Sequence, residues 1–350
     1  MRKIVNKIRI EEVARHAGVS SATVSRALNS PASVRPSTRK VIEEAINKLG
    51  YIPNASARAL TLGRSETVGA VVPTLDNAIF SKGLECFQSS VAKAGYQLIV
   101  ASCNYDPTIE ETQIRNLLLR GVEAIALWGS SQTNSAIKLL VDRKIPYIHL
   151  GTLSPPRRGY ACGFDNVKAI QSGVRHLLDQ GHRHFCMLTG ITQNNDRATS
   201  RLKGVRDLLT ASSISLSDNQ VREVPYNIGA ARSAFEFLIR QNPKTTALIC
   251  GQDVLAYGAL LQATTLGLEI PKDLSIVGFD DLEFSQHLHP ALTTIRYDAV
   301  NMWSKAAENL ITRISGGTVD RLISSPTALI VRQSTGQPRR ATKLHSGALK

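Results

Sequence analysis

The stretch IEEVARHAGVSSATVSRALN, residues 10–29, decides the first part of the fold. Val13, Ala14 and Ala17 fall on one face of a helix with a 3.6-residue period. Gly18 suits the positive φ of a helix C-terminus, because it has no Cβ to strain there. Val19 is placed to plug the angle between two helices. Ser20 can cap a second helix, its hydroxyl accepting one of the first-turn amides that the helix leaves unpaired. That helix buries Val24 and Leu28. Two short helices on a tight glycine turn make a helix-turn-helix. The second helix turns Ser21, Ala22, Thr23, Ser25 and Arg26 outward. These side chains are small, hydroxylated or basic, and can enter a DNA major groove. A third helix is predicted from Pro36, with Val41, Ala45, Ile46 and Leu49 as its buried stripe and Gly50 at its end.

Charge placement points the same way. The formal net charge is +14 over 350 residues. Residues 1–64 hold twelve Lys/Arg against four Glu, and Arg332 to Lys350 holds five basic residues and no acid. The body between them is nearly neutral. A basic head on a neutral body fits an acidic partner better than general solubility, and a helical hairpin that binds nothing would not need it. Residues 51–64 read as a connector. Pro53 stops the preceding segment, Asn54 can cap a new helix and Gly63 can end it. The helix between is about two turns, too short to persist in water alone.

From residue 65 to about 335, apolar runs alternate with helical stretches. The runs are TVGAVVP (67–73), YQLIVAS (96–102), AIALWG (124–129), PYIHLG (146–151), HFCMLTG (184–190), TALICG (246–251) and SIVGFD (275–280). The predicted helices include Phe80–Ala94, Glu110–Leu119, Ala169–Gln180, Ala230–Arg240 and Leu255–Leu266. Continuous apolar strands between helices imply α/β architecture with parallel sheets buried on both faces. About 270 residues exceed one ordinary domain, so two lobes with a cleft between them are expected.

Several classes are disfavoured. Five cysteines are dispersed without a CxxC pair, which fits reduced thiols rather than a disulfide framework or zinc site. No apolar run reaches the roughly 18 residues of a membrane span. The basic N-terminus is not followed by the apolar core of a secretory signal. A cytoplasmic protein with no membrane partner is therefore expected. There is no GxGxxG, P-loop, GxSxG elbow or HExxH, so neither catalytic residues nor a cofactor or metal is expected. His182 and His184 read as structural.

The segments VARHAGVSSATVSRALN (13–29) and TRKVIEEAINKLGYIPNASARAL (38–60) resemble the lac-repressor/galactose-repressor family of bacterial transcription regulators. The resemblance covers about residues 8–335. It implies a homodimer whose recognition helices each read half of a palindromic operator in double-stranded DNA. Ser21 and Ala22 match the variable specificity positions, while Thr23 and Arg26 match the common base and phosphate contacts. Ser20, Ser25 and Asn29 complete the candidate DNA-facing set on this helix. Arg9 and Arg35 stand where the family has capping Ser or Thr, which weakens each cap by about 1 kcal/mol. Either the two arginines reach phosphates or they are simply solvated. The connector matches the family's hinge helix. It adds Asn54, Ala57 at the close-approach position, and Leu60 at the minor-groove wedge. Packing of Leu60 on the body is the alternative.

The body then resembles a periplasmic-binding-protein-like core. The implied organisation is a headpiece (1–50), a hinge (51–64), an effector-binding and dimerisation domain (65–335) and a basic disordered tail (336–350). Lobe one takes about 65–165 and 296–324, and lobe two about 166–295 and 325–335. The matching effector positions are Asn77, Phe80, Arg197, Arg201, Asp253 and Asp280, with Gln252 a departure from the usual Asn. Their alternative is a set of lobe-lobe ion pairs and caps. Pro73-x-Leu75-x-Asn77-x-x-Phe80, the run Gly163 to Asn166, and the arginines near 200 are closest to gluconate-type repressors. A sugar or sugar-acid effector is implied, its carboxylate bound by a guanidinium. A sugar-binding transport protein and a sugar-processing enzyme share the core fold and stay open at this point.

Overall fold

A computed structural model describes residues 8–54, 63–155 and 159–339. The chain divides into two compact units, Met1–Glu66 and Thr67–Lys350. The connector positions Ala57 and Leu60 lie outside the described residues.

In the first unit, α1 (Ile10–Ala17) and α2 (Ser21–Asn29) are followed by a short 3-10 turn and α3 (Pro36–Leu49). Gly18 takes φ 67°, and its N–H closes on the last carbonyls of α1. Ser20 caps α2 by accepting from Thr23 N at 3.2 Å. Val13, Ala14, Val24, Ala27, Ile42 and Ala45 form the core, with Val19 and Leu28 packed against it. The stripe predicted for α3 is out of phase at one end. Val41 is 45% exposed, whereas Ile42 is buried. The buried spacing is Ile42, Ala45, Ile46, Leu49, the i, i+3, i+4, i+7 of one helical face. Neither Arg9 nor Arg35 caps its helix through the side chain. Glu12 substitutes in part at α1, accepting from Arg9 N at 3.1 Å.

The second unit holds two six-stranded sheets. One has the order β11-β5-β4-β3-β1-β2 and the other β12-β10-β9-β8-β6-β7. The first is built from β1 (Thr67–Val72), β2 (Gln97–Ser102), β3 (Ala124–Trp128), β4 (Tyr147–Leu150), β5 (Ala161–Gly163) and β11 (Leu322–Ser324). The second is built from β6 (Phe185–Gly190), β7 (Val221–Val224), β8 (Ala247–Cys250), β9 (Ser275–Asp280), β10 (Thr293–Tyr297) and β12 (Thr327–Ile330). Every pairing is parallel except β10 with β12. The central strands are buried along their whole length because helices cover both faces.

The chain crosses between lobes three times, after β5, after β10 and after β11. Arg296 and Tyr297 pair within the second sheet. The second crossing therefore falls at Asp298, not at residue 296. The expectation of a disordered tail from 336 also needs correction. Gly336 O accepts from His182 Nε2 at 2.9 Å, and Arg339 donates to the carbonyls of Pro243 and Thr245. Those bonds satisfy backbone oxygens at the lobe-two surface, so the ordered chain runs on through residue 339.

Helices α4 (Ala78–Lys93), α5 (Pro107–Leu119), α6 (Asn134–Asp142) and α11 (Ala299–Ile314) cover the first sheet. Helices α7 (Asn166–Asp179), α8 (Asp196–Ala211), α9 (Ile228–Gln241) and α10 (Asp253–Thr265) cover the second. Under α4 and α11, Trp303 stacks on Trp128 at 5.7 Å, and Phe80 meets Trp128 edge-on at 5.0 Å. This aromatic packing is the floor on which lobe one presents Trp128 to the cleft. Among the described residues, no helix is long and apolar enough to cross a membrane, and no group of His, Cys, Asp and Glu could hold a metal ion.

Candidate functional site

Two surfaces carry the candidate residues, one in each unit. On α2, Ala22 and Arg26 are exposed, while Ser21, Thr23, Ser25 and Asn29 are half-buried. The outward set is thus narrower than expected, because hydroxyls are drawn into local bonds. Ser20 Oγ lies 2.9 Å from Thr23 Oγ1, and Asn29 Nδ2 donates to Ser25 Oγ at 3.3 Å. Arg26 Nε folds back on Ala22 O at 3.4 Å. Asn54 lies exposed at the start of the connector.

The cleft is formed at the carboxyl ends of the parallel strands, where loops and helix N-termini converge. Asn77 caps α4 through its Oδ1 and donates across the lobes to Gln252 Oε1 at 3.4 Å. Arg201 sits on α8, 4% exposed, its guanidinium 4.3 Å above the Phe279 ring. It donates to Gly251 O at 2.8 Å and lies 4.0 Å from Asp280. Its Nη2 donates to nothing among the described residues. Asp280 Oδ1 and Tyr297 Oη are both buried without a hydrogen-bond partner. Asp280 takes φ 119° and Asp281 φ 52°, conformations that side chains other than glycine adopt at a cost of about 1–3 kcal/mol each. Burial pushes the Asp280 carboxyl well above the usual range, and Arg201 only partly offsets this from 4.0 Å.

Asp253 does not behave as the sequence predicts. It is fully buried, and both oxygens are taken by the protein. Oδ1 accepts from Thr294 Oγ1 at 2.6 Å, and Oδ2 accepts from Leu282 N at 2.8 Å and Ser285 Oγ at 2.6 Å. Burial raises its pKa to about 6 against these three bonds. It ties β10 and the segment after β9 to the start of α10, while its neighbour Gln252 reaches toward lobe one. Phe80 is likewise displaced from its expected role. It is 1% exposed and packs under Trp128, so Trp128 supplies the aromatic wall.

Arg197 lies across the lobe boundary. Its Nη1 is 2.6 Å from Asp196 Oδ1, and its guanidinium lies 5.7 Å from the Trp128 ring. Gly129, at φ 77°, makes room for it, since a Cβ there would come 1.4 Å from Arg197 Nη1. Asp196 in turn accepts from Ser130 Oγ at 2.8 Å and Ser131 Oγ at 3.3 Å, both in lobe one. Burial pushes Asp196 up, but Arg197 and the serine hydroxyls more than offset it and hold it below the ordinary value. Ser130, Ser131, Asp196 and Arg197 therefore form a charged latch between the lobes. Sequence reasoning missed Tyr105, Glu110, Trp128, Asp196, Tyr226 and Tyr297. A strand-end aromatic at 128 and an acid beside Arg197 were the available signals. Nothing marked Glu110, which reads as one more polar position on a surface helix.

A helix-turn-helix unit and a two-sheet cleft domain are what the comparisons find. Residues 9–54 match the model of bacterial regulatory proteins of the lacI family, and residues 174–335 match a periplasmic binding protein-like domain. The regulator GntR of Pseudomonas aeruginosa is 30% identical over 328 residues, 93% of this chain and 95% of its own length. The chain belongs to the lacI family. Catabolite control protein A of Priestia megaterium is 29% identical over 329 residues, 94% of this chain and 99% of its own. Among solved structures, a lac repressor dimer bound to operator and the anti-inducer ONPF superposes with a TM-score of 0.84. It shares 26% identity and covers 95% of this chain and 100% of that one. The protein is thus a DNA-binding transcription regulator of the lacI family, with a ligand-binding core of the periplasmic type.

Proposed function

We propose that this lacI-family regulator is a cytoplasmic repressor that binds a palindromic operator as a homodimer and responds to a small polyhydroxylated acid of the gluconate kind. The observation that carries the effector reading is the buried set Arg201, Asp280 and Tyr297. Asp280 Oδ1 and Tyr297 Oη are buried without partners, and the Arg201 guanidinium lies 4.0 Å from that Asp280 oxygen. Buried polar groups left unpaired are costly, so a ligand that pairs them gains what they have lost. With Asp280 biased toward its neutral form, the Arg201 charge favours an anion. The relatives named GntR in Pseudomonas aeruginosa and Escherichia coli, at 30% and 29% identity, support the same class. On this reading Arg201 holds the carboxylate, and Asp280, Asn77 and Gln252 take hydroxyls. Asp253 stays within the protein.

On the DNA side, Ser21, Ala22 and Arg26 are assigned to the half-site, with Ser20, Thr23, Ser25 and Asn29 bracing them. Asn54, Ala57 and Leu60 are assigned to the minor groove. Titration calorimetry with gluconate tests the effector. Arg201→Ala is expected to lose binding by about 2–5 kcal/mol, since it removes one partner of a buried charge contact. Arg201→Lys is expected to rescue poorly, because an ammonium cannot make two parallel bonds to a carboxylate. Tight binding of a neutral hexose, with no response to any sugar acid, would refute the acid assignment.

A further inference from the structure

A polar cavity lies beside Arg197. It measures about 20 Å³, room for about one water-sized group. Cys103, Tyr105, Glu110, Trp128, Ser131 and Arg197 line it. Glu110, on α5, is 7% exposed. Its Oε1 accepts from Gln132 Nε2 at 2.9 Å, and its Oε2 accepts from nothing among the described residues. Tyr105 is held at this cavity by two consecutive left-handed residues, Asn104 at φ 50° and Tyr105 itself at φ 59°. Its ring faces Tyr226 of lobe two at 5.6 Å. Strain of this kind persists only where the surroundings impose it, and it gathers at ligand sites.

The charges around the cavity do not favour an anion. Arg197 is already paired with Asp196 at 2.6 Å. Glu110 adds a second carboxyl beside that single cation; burial raises its pKa, while the Gln132 bond and the Arg197 charge favour its ionised form. Burial pushes the Cys103 thiol up to about 12, so it stays neutral and contributes no charge. A carboxylate oxygen without a donor, in a space the size of one hydroxyl, asks for an O–H.

We infer that this cavity is a hydroxyl subsite in which Glu110 accepts the terminal hydroxyl of the effector and excludes a second carboxylate. The inference rests on the sugar-acid reading above and gives the ligand a direction. The acid end lies at Arg201 and the hydroxyl end at Glu110. Aldonic acids, with one carboxylate, fit. Aldaric acids, with a carboxylate at each end, bring a like charge onto Glu110, which is strongly unfavourable in a desolvated site.

Calorimetry of the full-length protein with gluconate and with glucarate tests this. Wild type is expected to bind gluconate at least about tenfold tighter than glucarate. Glu110→Gln keeps an acceptor for Gln132 but removes the charge, and is expected to narrow that ratio by about tenfold. Glu110→Asp keeps the charge and is expected to keep the discrimination while weakening both ligands. Circular dichroism and thermal unfolding verify that each variant is folded. An unchanged gluconate-to-glucarate ratio in folded Glu110→Gln overturns the subsite while leaving the sugar-acid reading intact. Binding of neither acid by wild type overturns both.

Discussion

Gln252 and Asp253 are neighbours at the start of α10 and are similarly buried, yet they face different partners. The backbone puts Gln252 at the cap position and Asp253 inside the first turn. A one-residue step around a helix is about 100°, so one side chain turns to lobe one and the other into lobe two. The sequence shows that a polar pair starts a helix after a strand. It does not show which member turns outward, because that depends on the bend between β8 and α10. The same limit hid Tyr105, whose placement comes from left-handed backbone that no motif announces, and Glu110, which follows it in the first turn of α5. Asp280, by contrast, is the last residue of β9, and Arg201 lies in the second turn of the helix after β6, so the alternation of strands and helices marks both positions. Asp253 makes a titratable prediction. Its carboxyl titrates near 3.8 when unfolded and at about 6 in the folded protein. The folded state thus holds the proton more tightly. The stability this supplies is fully present below pH 3.8 and is lost as pH rises through about 6, about 3 kcal/mol in all. Asp253→Asn cannot titrate. Its stability deficit against wild type is expected to be largest near pH 3 and to shrink by about that amount near pH 7. Urea unfolding of both proteins at the two pH values measures this, and a gap that does not change with pH would refute it.

Elements were legible in proportion to their apolar length. The seven runs of the sequence reading all lie on strands of the two sheets. The five strands it passed over, β5, β7, β10, β11 and β12, are only three to five residues long. All five lie at or next to sheet edges, and β7, β11 and β12 are largely open to solvent, so no continuous apolar signal marks them. Helix existence was clear and helix phase was not. Val41 and Ile42 are adjacent and equally apolar, and only packing against α1 selects Ile42. The connector is the element whose role most needs experiment. Leu60→Ala is expected to weaken specific operator binding by about tenfold or more and to reduce DNA bending, because the unstacking wedge is lost. Circular-permutation gel shifts read the bend. An unaltered bend angle would place Leu60 on the body rather than in the groove.

At the scale of the molecule, charge and architecture divide the labour. The basic residues gather in the first 64 positions and the last 19, while the ligand cleft is built in a body of nearly balanced charge. Operator affinity is therefore expected to fall steeply with salt, by about a thousandfold between about 50 and 200 mM, as several phosphates are neutralised. Fluorescence anisotropy over that range checks it, and a flat response would remove the phosphate contacts from the account. The route of the chain has one more consequence. The last strand of each sheet, β11 on one and β12 on the other, comes from residues 322–330. While the polypeptide emerges from the ribosome, both lobes must wait for that segment before their sheets are complete. The helix-turn-helix closes on contacts within its first 51 residues and needs none of it. During every round of synthesis, the part that reads DNA is finished well before the part that senses the effector.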